Sequence, residues 1–168
     1  IYMQKLLDYK DKEAVKVITG LRRSGKSSIL ELFRKYLVDT GVSQNNIFYM
    51  TFESLANRNK TYQQVYDEIM DFAKKTSGKI YIFLDEVQQI EKWELMVNSL
   101  RIDIDSDIYI TGSNAYLLSS QLSTYLSGRY VEIKVLPLSF KEFVLFNRFK
   151  DSMTNEEKFA LYLKYGGM

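Results

Sequence analysis

The chain has 168 residues, 46% of them hydrophobic, and 23 Lys and Arg against 21 Asp and Glu leave a net charge of only +2. That length and content suit one α/β domain with a single good core, and the charge by itself gives no support for a nucleic-acid partner. With no cysteine and no histidine, a disulfide scaffold, a Cys or His zinc site, a cysteine nucleophile and a histidine general base are excluded, so any catalysis rests on carboxylates, Lys, Arg, hydroxyls, amides and an oxygen-bound metal such as Mg2+.

Ala14–Thr19 reads as a short apolar strand, and Gly20-Leu21-Arg22-Arg23-Ser24-Gly25-Lys26-Ser27 after it fits the phosphate-binding pattern G-x-x-x-x-G-K-[ST]. A triphosphate has to be wrapped by backbone. Gly20 lets the chain turn as it leaves the strand, and Gly25 lets backbone N–H groups approach the β-phosphate without a Cβ in the way. Leu21, Arg22, Arg23 and Ser24 supply further loop backbone, Arg22 and Arg23 with side chains facing solvent or a partner. The helix opening at Lys26 points its unpaired N–H groups at the same anion, Ser28 included. Lys26 is placed to reach the β- and γ-phosphates, and the Ser27 hydroxyl to ligate Mg2+.

Lys26–Val38 is predicted helical, with Ile29, Leu30, Phe33, Leu37 and Val38 on one stripe and Gly41 as the stop. Asn46–Phe52 reads as a strand, and Asn57-Arg58-Asn59-Lys60 as a polar loop before a helix over Thr61–Lys75, where Thr61 is able to cap and Val65, Ile69, Phe72 and Ala73 recur at helical spacing. Lys79–Leu84 is continuously apolar, as a strand at the centre of a parallel sheet would be. It runs into Asp85-Glu86, a Walker B arrangement: Asp85 is placed to hold Mg2+ or its water shell, and Glu86 to polarise an attacking water.

Trp93–Arg101 reads as a helix, Asp107–Thr111 as a fourth strand, Ala115–Leu126 as a broken helix and Tyr130–Leu136 as a fifth strand. The fourth strand ends in Thr111-Gly112-Ser113-Asn114. Either Ser113 or Asn114 is suited to hydrogen-bond a γ-phosphate or lytic water, against the plain alternative of a Gly-Ser-Asn turn. Arg129, just before the fifth strand, is a candidate to stabilise charge on a transferring phosphoryl group, in cis or in trans, against the alternative of a surface arginine. Tyr49, Tyr81 and Tyr109 fall in strands and are read as sheet packing. After Pro137, Phe140–Phe149 and Glu156–Tyr165 read as amphipathic helices, with Thr154 or Asn155 as cap. Strands alternating with helices argue for a doubly wound parallel sheet.

Together GLRRSGKSS, IYIFLDEVQQIEKW, YITGSNAYLL and YLSGRYVEIKVLPLSFKEF resemble the AAA+ superfamily of P-loop ATPases. In particular they are similar to bacterial and archaeal ATPases that carry an AAA domain followed by a C-terminal domain of unknown function. The resemblance implies a P-loop NTPase three-layer sandwich with a parallel five-stranded sheet of order 5-1-4-3-2. It also implies Asp85 and Glu86 as the Walker B pair, Ser113 or Asn114 as sensor 1, and Arg129 as a candidate arginine finger. ATP and Mg2+ are the implied ligands; no guanine-reading N-K-x-D segment occurs, which also favours adenine.

Residues 1–137 are expected to form the ATPase core and 138–168 a helical extension, the start of a C-terminal region. Because Ile1 is not an initiator methionine and the chain ends abruptly at Gly166-Gly167-Met168, it is read as a piece of a longer product. The helical lid that normally follows strand five in this superfamily is not evident, so a sensor 2 arginine is not assigned. The expected activity is Mg2+-dependent ATP hydrolysis, acting as a switch for an effector region. The alternative is a low-turnover nucleotide-binding regulatory module, DNA-associated by analogy only; a small-molecule kinase, which shares the loop, fits the Asp-Glu pair less well. A homo-oligomer or a protein is the expected further partner. No apolar run reaches the 18 or so residues of a membrane span and no basic-then-apolar leader opens the chain, so the expected location is the cytoplasm.

Overall fold

The computed structural model describes residues 2–113, 126, 128–147, 149 and 153–165, the side chains of Phe146 and Tyr165 aside. In chain order the elements are α1 (Tyr2–Tyr9), β1 (Val15–Gly20), α2 (Lys26–Asp39), β2 (Ile47–Thr51), α3 (Leu55–Arg58), α4 (Tyr62–Lys74), β3 (Ile80–Asp85), α5 (Trp93–Asp103), β4 (Ser106–Ser113), β5 (Tyr130–Val135), α6 (Phe140–Phe146) and α7 (Asn155–Tyr165). All five strands are parallel, in the order β2-β3-β4-β1-β5. This is the expected 5-1-4-3-2 sheet read from its other edge. Single 3-10 turns at Gln44–Asn46 and Val87–Gln89 precede β2 and follow β3.

Strand alternation sorts the core into two layers. On one face Val15, Val17, Ile80, Ile82, Leu84, Ile108 and Ile110 pack with Val65 and Ile69 of α4 and with Trp93, Met96, Val97 and Leu100 of α5. On the other, Ile18, Tyr81, Phe83, Tyr109, Ile133 and Val135 pack with Leu6 of α1 and with Leu30, Phe33 and Leu37 of α2. Each such aliphatic or aromatic side chain, fully buried, is worth about 1.5–3 kcal/mol. Phe33 lies 5.0 Å from the Tyr109 ring, which stacks on Phe83 at 4.8 Å. That aromatic cluster holds α2 on the sheet, and with it the helix N-terminus that follows the loop.

Differences from the sequence reading have local causes. Val38, expected on the buried stripe, is 42% exposed; Leu37 takes the inward position, and the next residue turns about 100° away from it. Gly41 closes α2 as expected: at φ 102 it lets its own N–H reach the Val38 carbonyl and the Val42 N–H reach that of Leu37, a Schellman stop. Tyr81 and Tyr109 pack in the sheet, but Tyr49 is 39% exposed and carries the Arg34 guanidinium over its ring at 3.8 Å. The helix expected over Phe140–Phe149 stops at Phe146, and neither α1 nor α3 was foreseen. The broken helix expected over Ala115–Leu126 lies outside the described residues, apart from Leu126.

At the amino end of the sheet, Lys16 and Asp107 form a fully buried ion pair between β1 and β4. The Asp107 carboxylate also accepts from the Asp11 N–H and the Tyr109 hydroxyl, both at 2.7 Å. Burial pushes the Lys16 ammonium below its ordinary range, and burial next to Asp107 pushes the Tyr109 phenol far above its own.

Candidate functional site

All five strands run the same way, so their carboxyl ends share one edge of the sheet, and the functional candidates collect there. The loop after β1 is the centre. Gly20 is the last residue of β1 rather than the first of a turn, and its hydrogen side is blocked: a Cβ there would lie 2.5 Å from the Val135 carbonyl oxygen and 2.7 Å from Ser24 Oγ. Glycine is therefore required at position 20 by close approach and not by backbone angle. Gly25 is the opposite case, with open space around it but φ 91 at the N-cap of α2. Arg23 also takes a left-handed backbone, φ 65, inside the loop.

Lys26, the first residue of α2, is only 3% exposed. Its ammonium donates to the Gly20 carbonyl at 3.2 Å and the Leu21 carbonyl at 2.9 Å, and lies 3.4 Å from Glu86 Oε1. The loop thus closes around its own cation. Leu21, Arg22, Arg23, Ser27 and Ser28 are exposed, while the Ser24 hydroxyl is buried and has no hydrogen-bond partner among the described residues.

Asp85 ends β3 and Glu86 follows it, 2% and 8% exposed. Both are fixed by Thr111 of β4, whose hydroxyl accepts from the Glu86 N–H at 2.9 Å and donates to Asp85 Oδ1 at 2.5 Å. Strand β4 lies between β1 and β3, so its end faces the site from between the loop and the two acids. There Ser113 Oγ donates to Glu86 Oε2 at 3.3 Å. Asn114, the other sensor candidate, lies outside the described residues.

Two adjoining clefts open over this edge. One, of about 400 Å3, is lined by Arg22, Arg23, Gly25, Lys26, Ser27, Ser28, Glu53 and Glu86. The other, of about 380 Å3, is lined by Arg22, Phe52, Glu53, Arg58, Glu86, Gln89 and Ser113. Their shared wall is Arg22, Glu53 and Glu86, which makes one continuous polar groove with cations on its loop side. Arg58 comes from the stretch Asn57-Arg58-Asn59-Lys60, which the sequence suggested only as polar loop, and Glu53 from just after β2, where the sequence suggested no site residue. The sequence reading also passed over Thr111 as a site residue; the signal available was a hydroxyl directly after the apolar run Ile108-Tyr109-Ile110.

The donor set suits a hard cation that keeps much of its own shell. Among the described residues no cluster of three or more acidic, His or Cys side chains could cage a metal. One carboxylate, Asp85, and one hydroxyl, Ser27, are the ligands expected for Mg2+ completed by phosphate oxygens and water.

Arg129 is not in this assembly. It is exposed and immediately precedes β5, and its carbonyl accepts from the N–H of Val15, the first residue of β1, at 3.0 Å. The six residues of β1 separate that end from Gly20, about 16–20 Å of strand and more than a side chain spans. Arg129 is thus placed about a strand's length from its own chain's loop. No helix among the described residues is long and apolar enough to cross a membrane.

A family model described as "AAA domain" matches residues 12–144. An uncharacterized protein of Haemophilus influenzae is 46% identical over 172 residues, covering 99% of this chain and 42% of that protein. The uncharacterized protein MJ1544 of Methanocaldococcus jannaschii is 33% identical over 162 residues, covering 91% and 35%. The chain thus spans about two fifths or less of these relatives. Among solved structures, the Aeropyrum pernix ORC1 protein in complex with DNA superposes with a TM-score of 0.61 at 12% identity, covering 84% of this chain and 46% of that one. A DNA polymerase III gamma subunit-related protein of Thermotoga maritima gives 0.59 at 13% identity, covering 98% and 57%. At such identities the structural likeness speaks for the fold.

Proposed function

The chain belongs to the AAA domain family of P-loop ATPases, and from that premise we propose that it binds ATP with Mg2+ and hydrolyses it, as a nucleotide-driven switch for regions outside residues 1–168. The observation that carries this reading is the convergence of Lys26, Glu86 and Ser113 on one groove, with Lys26 Nζ 3.4 Å from Glu86 Oε1 and Asp85 tied to Glu86 through the Thr111 hydroxyl. A module that only holds a nucleotide needs the loop and a metal ligand. A carboxylate beside the metal ligand, turned toward the loop lysine, is what hydrolysis adds.

In the proposed reaction Lys26 exchanges the Gly20 and Leu21 carbonyls for the β- and γ-phosphates, and the loop N–H groups wrap the β-phosphate. Ser27 and Asp85 would hold Mg2+, which when bound neutralises charge on the phosphate oxygens. Glu86 Oε1, released from Lys26, takes a proton from the attacking water as its oxygen bonds the γ-phosphorus and the bond to ADP breaks. Ser113 sits where the γ-phosphate is read. Arg129 acts in trans, on the site of a second copy.

The test is phosphate release from ATP alongside nucleotide binding. Native protein is expected to turn over only with Mg2+ present. Lys26→Ala is expected to lose binding and turnover together, and Glu86→Gln to keep binding while turnover falls by about 100-fold or more. Equal, near-zero turnover in the native protein and Glu86→Gln would sink hydrolysis and leave the low-turnover binding module.

A further inference from the structure

The turn that follows Asp85 carries a side chain with no part in the reaction above. Glu86 adopts a left-handed backbone, φ 55, and opens the 3-10 turn Val87–Gln89, which brings residue 88 back over residue 86. Val87 and Ile90 anchor the turn in the core, 0% and 1% exposed, and the Gln89 N–H to Glu86 and Ile90 N–H to Val87 hydrogen bonds close it. From this fixed position Gln88 Nε2 donates to Glu86 Oε2 at 2.5 Å and lies 3.5 Å from Ser113 Oγ. The two oxygens of Glu86 are thereby divided. Oε2 is held by neutral donors, and Oε1 faces Lys26.

The other end of the Gln88 amide sets it apart from packing. Its Oε1 is buried and has no hydrogen-bond partner among the described residues, whereas buried amide oxygens are as a rule satisfied. The nitrogen end alone fixes this side chain, and it does so on Glu86. The direction of the amide follows from chemistry, because an ionised carboxylate only accepts. Gln88 also lines neither of the two clefts described above.

We infer that Gln88 is a positioning residue for the Glu86 base: its amide holds Oε2 so that Oε1 faces the attacking water once Lys26 has turned to the phosphates. The inference rests on the hydrolytic reading above and names a residue beyond it. A glutamate's terminal torsion is broad and two-fold. With Oε2 tethered by Gln88 and Ser113, that rotation stops, and one oxygen is presented to the groove. Such a residue acts on rate and leaves nucleotide affinity alone.

The experiment compares steady-state ATP turnover and the Kd of a fluorescent ATP analogue in native protein, Gln88→Ala, Gln88→Met and Gln88→Glu, with thermal unfolding as the check on folding. Gln88→Met keeps the volume and removes the donor, which separates packing from the hydrogen bond. In both Ala and Met variants kcat is expected to fall about 10- to 100-fold, with KM and Kd unchanged within about two-fold. Gln88→Glu replaces the donor with a second carboxylate against Glu86, and its kcat is expected to fall at least as far as that of Gln88→Met, with KM and Kd again unchanged within about two-fold. Native kcat in the Ala and Met variants, or a kcat loss matched by an equal weakening of Kd, overturns the inference. If the native protein releases no phosphate, the hydrolytic reading fails and takes the inference with it, an outcome visible before any Gln88 variant is compared.

Discussion

Thr111 puts one hydroxyl to two uses, accepting from the Glu86 N–H and donating to Asp85 Oδ1. Its loss would leave a buried backbone donor unpaired at the bend between the two acids. Thr111→Val, which keeps the shape, is expected to lower unfolding free energy by about 1–3 kcal/mol in urea titration and to lower ATP turnover. Thr111→Ser is expected to restore both, and a Val variant with native stability and turnover would remove Thr111 from the site. Lys26, Ser27, Asp85 and Glu86 stood out in the sequence as candidates because each lies at a short, fixed offset from the end of an apolar strand. Thr111 and Gln88 did not, because Thr111 meets the acids only when β4 is inserted between β1 and β3, and Gln88 faces Glu86 only through the left-handed turn at 86. Gly20 was read as a glycine for the right loop and the wrong reason, since the obstacle at its α-carbon is a carbonyl from β5, far away in the chain.

At the scale of elements, α4 shows how much a helix gains from its first residue. Thr61 Oγ accepts from the Gln64 N–H at 3.2 Å while Gln64 Oε1 accepts from the Thr61 N–H at 2.9 Å, a reciprocal capping box. Thr61→Ala is expected to cost about 1 kcal/mol, read as a lowered urea midpoint with an unchanged slope, and Thr61→Ser much less. No change in the Ala variant would mean that Val65 and Ile69 in the core decide α4 alone. The same chemistry caps α6 through Ser139 and Glu142, and at the start of α7 Thr154, one of the two caps expected there, pairs with Glu157. Strands β3 and β4 and helices α2, α4 and α5 were readable because each carries a long periodic or continuous apolar run. Helix α1 was not. Its eight residues lack a Gly or Pro boundary and gain their place from Leu6, which is buried only once α2 and β5 form the face it meets.

For the whole molecule, the amino and carboxyl edges of the sheet do different work. The amino edge holds the buried Lys16–Asp107 pair and the start of β5; the carboxyl edge holds the loop and the acids. Arg129 belongs to the first edge and so reaches a loop only by presenting itself to another copy. Arg129→Ala is expected to bind ATP normally and lose turnover, and mixing it with Lys26→Ala, itself inactive, is expected to restore phosphate release. Full activity of Arg129→Ala alone would reduce it to a surface arginine. Gly20 and Val135 meet with no side chain between them, and the next residue, Leu136, donates its N–H to the Tyr2 hydroxyl at 3.1 Å before the chain enters α6. Close-packed backbone has no slack to absorb a displacement. A displacement of Gly20 toward β5 would therefore press directly, as between meshed gear teeth, on Val135, the strand end that leads into α6.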